Sequence, residues 1–124
     1  MKIIYLSLTG NCKKFLSYTN VKLENIMSIT DLEIVDFPFI LVTPTIGFGD
    51  IPLKVKEFMD KNSRYAVGVV ASGNRNWGSN FAASADKINA SYGTPILMKF
   101  ELLGNNRDVD KFNEIYEEIS NARI

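Results

Sequence analysis

Ser72-Gly73-Asn74-Arg75-Asn76-Trp77-Gly78 follows the apolar run Tyr65 to Ala71 and gathers two glycines, two amides, a guanidinium and the sole indole of the chain. A tight turn needs about one glycine and one polar residue. This set supplies close backbone approach, hydrogen-bond donors and acceptors, and a flat aromatic face. Its chemistry is that of holding a planar, polar ligand. A half-buried packing indole is the ordinary alternative for a lone tryptophan. Trp77 lies among polar residues rather than in an apolar run, which favours stacking on a ligand or a partner.

Two further segments carry the same kind of chemistry. Ser7-Leu8-Thr9-Gly10-Asn11-Cys12 follows the first apolar run and opens a helical stretch. Its hydroxyls, its glycine and successive backbone amides near a positive helix end make a phosphate cradle. An N-capping loop accounts for the same residue types about as well. No Gly-Lys-Ser/Thr follows the glycine, so it is not a Walker loop. Thr43-Pro44-Thr45-Ile46-Gly47-Phe48-Gly49-Asp50 follows the apolar run at Phe39 to Val42. Glycines on both sides of an aromatic can bring amides and carbonyls to the edge of a flat ligand. Taken alone, the segment reads as a strand-to-helix turn capped by Asp50. Pro52 stands where the dinucleotide fingerprint needs a third glycine, so a mononucleotide fits better.

Composition narrows the partners. Fourteen basic and fourteen acidic residues cancel, so no global field draws the chain to nucleic acid or to an anionic membrane surface. The absence of histidine removes the usual general base and the commonest metal ligand. No metal site and no side-chain acid or base catalyst is therefore expected. The single cysteine, Cys12, suits a reducing compartment and is expected to be a small packing residue rather than a redox thiol. No apolar run approaches the ~20 residues of a membrane span, and the start is too short for a signal peptide. A cytoplasmic address is expected. Lys13 and Lys14 read as solvated lysines, and Glu114, Glu117 and Glu118 as the wet face of the last helix.

The elements that must position these loops follow from the pattern of apolar residues. Continuous runs at Ile3 to Leu6, Phe39 to Val42, Ala66 to Ala71 and Ile96 to Phe100 predict strands buried on both faces. A further edge strand is predicted near Ile26 to Thr30. Phe81, Ala85, Ile88 and Tyr92 keep helical spacing up to Gly93 and Pro95. Val109, Phe112, Tyr116 and Ile119 do so behind Asp108, a predicted N-cap. Val55, Phe58 and Met59 mark a helix begun near Asp50 and Pro52, and a first helix is predicted from about Asn11 to Tyr18. Strands alternating with helices predict an α/β, doubly wound parallel sheet with helices on both faces. Residues 1–124 are expected to form one domain.

The three loops together resemble the flavodoxin-like fold, and more closely the NrdI family that accompanies class Ib ribonucleotide reductase. The resemblance runs through Ser7-x-Thr9-Gly10-Asn11, Thr43-x-Thr45-x-Gly47-Phe48-Gly49 and the Ser72 to Gly78 loop. It continues in Ala83-Ser84-Ala85-Asp86-Lys87-Ile88 and in Lys99-Phe100-Glu101-Leu102 with Gly104. It implies a five-stranded sheet in the order 2-1-3-4-5 and a non-covalent FMN cofactor. The phosphate would rest on Ser7, Leu8, Thr9, Gly10 and Asn11. The ring would lie between Thr45, Gly47, Phe48 and Gly49 on one side and Ser72, Gly73, Asn74 and Trp77 on the other. Cys12, Thr43, Pro44, Asn76 and Gly78 complete the candidate cofactor-binding set.

In the family, the peptide at Gly47-Phe48 can turn to offer its carbonyl to the flavin, which glycine makes inexpensive. The implied function is reaction of the reduced flavin with dioxygen, giving superoxide for assembly of the dimanganese-tyrosyl radical cofactor of the reductase small subunit. The implied partners are that small subunit, docked around Phe48, Trp77 and Asn80, an electron-donating reductase that the sequence does not identify, and dioxygen. Across the three loops Asp50 and Arg75 are the charged residues, so the field at the flavin is expected to be near neutral. The alternatives are a general electron-transfer flavodoxin and a flavin-free regulatory module on the same fold.

Overall fold

Runs that are apolar without alternation need cover on both faces, and the chain provides it by winding helices over both sides of one sheet. In the computed structural model, which describes residues 1–122, the strands are β1 (Lys2–Tyr5), β2 (Ile26–Ser28), β3 (Phe39–Thr43), β4 (Ala66–Gly73) and β5 (Ile96–Glu101). All pairings are parallel and the order is β2-β1-β3-β4-β5. The helices are α1 (Asn11–Ser17), α2 (Leu53–Asn62), α3 (Ser84–Tyr92) and α4 (Asn106–Ala122). Among the described residues no helix is long and apolar enough to cross a membrane.

Successive strand residues point to opposite faces, which divides the core in two. Ile4, Leu41 and Val69 meet Val55, Phe58 and Met59 of α2 and Ala85 and Ile88 of α3. Ile3, Ile40, Val42 and Val70 meet Phe15 and Leu16 of α1 and Phe112 of α4. The winding reverses between β1 and β3, the place where an open α/β sheet leaves a crevice beyond its carboxyl ends.

Several predicted boundaries move. The edge strand stops at Ser28, because the Ser28 hydroxyl accepts the Thr30 N–H at 3.3 Å and a 3-10 turn over Ile29–Asp31 follows. β4 runs through Ser72 and Gly73, two residues into the stretch read as a loop, where it pairs with Phe100 and Glu101. α3 starts at Ser84, leaving Phe81 outside, and stops at left-handed Gly93 as its pattern predicts. Asp108 is not the cap of α4. Asn105 is, and the two residues cap reciprocally: the Asn105 side chain accepts the Asp108 N–H, and the Asp108 carboxylate accepts the Asn105 N–H, each at 3.0 Å. Nor does Asp50 cap α2, whose N-cap is Pro52, without any side-chain hydrogen bond.

Candidate functional site

A cleft of about 210 Å³ opens beyond the carboxyl ends of the central strands. The loop after β1 contributes Leu8, Thr9, Asn11 and Cys12, and the loop after β3 contributes Pro44, Thr45, Ile46 and Gly47. Ser72, Gly73, Asn74, Trp77 and Asn80 come from the end of β4 and the segment after it, with Ala82 and Leu102 behind them. Three segments separated by about 30 residues each thus share one concavity, because parallel strands deliver all their carboxyl ends to one edge of the sheet.

The first loop is held by the core beneath it and by one hydroxyl of its own. Cys12 and Phe15 are buried beneath it, and Gly10 serves as the helix N-cap in the left-handed region, at φ 88°. A Cβ at Gly10 would meet nothing within 4 Å, so glycine is there for its backbone angle. The Ser7 hydroxyl accepts the Lys13 N–H at 3.3 Å, which ties the loop to α1 and places Ser7 outside the cleft lining. Among the described residues the backbone N–H groups of Thr9, Gly10 and Asn11 have no protein acceptor. Thr9 and Asn11 line the cleft whereas Gly10 lies outside its lining, and backbone donors left free in this way can accept an anion. Burial pushes the Cys12 thiol up to about 12, so it stays protonated and packs as a small apolar group.

The second and third loops are cross-tied instead. The Thr45 and Ser84 hydroxyls lie 2.7 Å apart, the Thr43 hydroxyl donates to the Pro44 carbonyl at 2.9 Å, and the Ser72 hydroxyl donates to the Leu102 carbonyl at 2.7 Å. Thr43 is fully buried and does not reach the cleft. The Asn74 side chain accepts the Asn76 N–H at 2.9 Å, leaving Asn76 exposed and off the cleft. Gly78 breaks the 3-10 segment Arg75–Asn80 and also lies outside the lining. Gly49 backs onto α3, where a Cβ would lie 2.9 Å from Ala83 Cβ. Phe48, 73% exposed, stands perpendicular to Trp77 at 5.3 Å between ring centroids, and it is Trp77 that faces the cleft.

Gly73 has a steric role that the motif conceals. A Cβ there would overlap the backbone N of Ala82 and lie 2.8 Å from its Cα. Ala82 and Leu102 are the two non-glycine residues with positive φ among the described residues, at 48° and 53°. The Leu102 N–H donates to the Gly73 carbonyl at 2.9 Å, so both left-handed residues brace the end of β4. Ile46, Ala82 and Leu102 line the cleft although none was in the candidate cofactor-binding set, and Asn80 lines it although its expected role was docking. Alanine and leucine carry no sequence signal for such a backbone angle.

Comparison with known proteins fits this geometry. The family profile described as NrdI Flavodoxin like matches residues 3–114. Protein NrdI of Macrococcus caseolyticus (strain JCSC5402) is 50% identical over 120 residues, 97% of this chain and 92% of that protein. The chain belongs to the NrdI flavodoxin-like family. Solved structures support the fold independently. The flavodoxin of Streptococcus pneumonia TIGR4 superposes with a TM-score of 0.74 at 22% identity, covering 99% of this chain and 98% of that one. Oxidised Flavodoxin 1 from Bacillus cereus superposes with a TM-score of 0.67 at 20% identity, covering 94% and 95%.

In this NrdI-family chain the charge balance at the cleft differs in origin from the expected one. Asp50 and Arg75 do not offset each other. Asp50 pairs with Lys87 of α3 at 2.5 Å, and Arg75 pairs with Glu101 at 3.8 Å while lying 4.4 Å over the Phe81 ring. The Glu101 carboxylate also accepts the Arg75 N–H at 3.0 Å. Each loop charge is therefore compensated locally by a residue from another element.

Proposed function

We propose that the cleft binds FMN and that the protein, once reduced, delivers superoxide to the dimanganese centre of a class Ib ribonucleotide reductase small subunit. The observation that carries the binding step is that Thr9 and Asn11, both lining the cleft, have backbone N–H groups without a protein acceptor among the described residues, while the Thr45 and Ser72 hydroxyls on the other walls are engaged by Ser84 and Leu102. The Thr9 hydroxyl and these amides hold the phosphate, while Ser7 acts indirectly by tying the loop to α1. Pro44, Trp77 and Leu102 supply apolar surface to the flat ring, and Gly47 brings its backbone to the ring edge. When bound, FMN supplies one-electron reduction of dioxygen to superoxide.

The protein's share is to bind, to exclude water from one side of the ring and to dock the recipient. Exposed Leu8, Phe48, Trp77 and Leu102 gather around the cleft mouth, so a partner seated there covers apolar surface and the oxidant's exit together. Membership in the NrdI family, rather than likeness to flavodoxins, supports the reductase small subunit as that partner, with a separate reductase as the electron donor.

Titration of FMN fluorescence with the purified protein tests the first step: quenching to a stoichiometric end point is expected, and a colourless protein that leaves free FMN unquenched overturns the reading. For the second step, the reduced protein, the manganese-loaded small subunit and oxygen are mixed and the tyrosyl radical is read by electron paramagnetic resonance. Radical that forms equally well without this protein removes the activating role.

A further inference from the structure

The Ile46–Asp50 loop is closed at its base and open at its tip. The Ile46 N–H donates to the Asp50 carbonyl at 3.1 Å, and the Asp50 N–H returns to the Ile46 carbonyl at 2.7 Å. Between them stand Gly47 and Gly49, at φ 53° and 107°, with exposed Phe48 at the apex. Such a tip has little steric restriction of its own, so its position depends on the Phe48–Trp77 contact at its apex and on what holds its base.

The Asp50 carboxylate provides that hold. Asp50 lies two residues before the α2 N-cap Pro52, and its carboxylate makes no cap hydrogen bond to the helix. The carboxylate turns the other way, to Lys87 Nζ at 2.5 Å, and lies 3.3 Å from where a Gly47 Cβ would stand. Lys87 is in turn fixed by α3, its N–H donating to the Ala83 carbonyl at 3.1 Å. The same stretch of α3 receives Thr45 at Ser84 and Gly49 at Ala83. The ion pair is thus the charged member of a seam that joins the second loop to α3 beside the cleft.

We infer that Asp50 and Lys87 are positioning residues that fix the Gly47–Gly49 backbone at the flavin edge, and that each cancels the effect of the other's charge on the potential felt there. The inference rests on the FMN reading above. The pair is about half exposed, with side-chain accessibilities of 61% and 47%, so its effect on affinity is a few-fold and weakens with salt. Its electrostatic signature is more telling. Removing the ammonium leaves a carboxylate that penalises added negative charge on the flavin, and removing the carboxylate does the reverse.

The test compares Asp50→Asn, Lys87→Met and the exchange Asp50→Lys with Lys87→Asp. Amide hydrogen exchange at Ile46 and Gly49 is measured without flavin, and FMN affinity and midpoint potential with it. Both single variants are expected to exchange faster and to bind FMN about threefold more weakly. The potential should fall in Lys87→Met and rise in Asp50→Asn, and the charge exchange should restore protection. Unchanged amide exchange, or potentials that move in the same direction in both single variants, overturns the inference. A wild-type protein that takes up no FMN overturns the functional reading instead, while amide exchange still decides whether the pair holds the loop.

Discussion

The two sides of the cleft solve opposite problems. On the side of the first loop, amide donors at Thr9, Gly10 and Asn11 are left without acceptors among the described residues, and order comes from the aromatic core below, where Phe15 stacks on Phe100 at 4.0 Å. On the side of the second and third loops, Thr45, Ser72, Asn74, Asp50 and Arg75 are all engaged by protein groups. The lesson is a division of labour. Free donors suit a charged phosphate, whereas a wall whose Thr45 and Ser72 hydroxyls are already engaged presents mainly apolar and backbone surface to a flat ring.

The largest expected effect tests whether the core orders the first loop. Phe15→Ala removes a ring that also meets Phe112 at 5.5 Å and against which a Gly104 Cβ would lie at 2.6 Å. Urea unfolding should show a loss of ~3–5 kcal/mol. A loss below ~1 kcal/mol would mean that the loop stands without this support. Next comes Gly73→Ala, in which the new methyl meets the Ala82 backbone rather than a side chain that can move aside. Destabilisation of ~1–3 kcal/mol is expected from overpacking, and an unperturbed melting temperature would contradict the bracing role of Ala82.

A paired substitution then separates the two sides directly. Thr9→Ala, at an exposed position, should leave stability within ~0.5 kcal/mol and weaken FMN binding about tenfold. Ser72→Ala should do the reverse, costing ~1 kcal/mol of stability by freeing the Leu102 carbonyl while changing FMN affinity little. If both variants lose affinity equally, the division of labour fails.

The smallest effect is the pH response of Cys12 over the neutral range. With its thiol raised from 9.0 to about 12 in the folded state, Cys12 adds almost no slope to stability below pH ~8. The unfolded chain loses this proton first as pH rises, so stability declines from about 9 toward 12, by at most ~1.4 kcal/mol per pH unit. Iodoacetamide at pH 8 should therefore leave the native thiol unlabelled and modify it in urea. Rapid native labelling would show that the first loop opens.

The amino-acid sequence alone determined the strands that are apolar throughout, such as Phe39–Thr43, and the three polar loops that follow β1, β3 and β4. It did so because continuous apolar runs demand two covered faces and because glycine, hydroxyl and amide clusters are poor core formers. The family was legible in those loops as well, Trp77 and its neighbours being the most specific part. The sequence did not disclose which hydroxyls remain free: Ser7 and Ser72 look as available as Thr9 until Lys13 and Leu102 are brought against them. Nor could it show that Asp50 turns to Lys87, 37 residues away, instead of capping the adjacent helix. Local preference favours the near partner, and only the packing of α3 beside the loop places a cation close enough to compete.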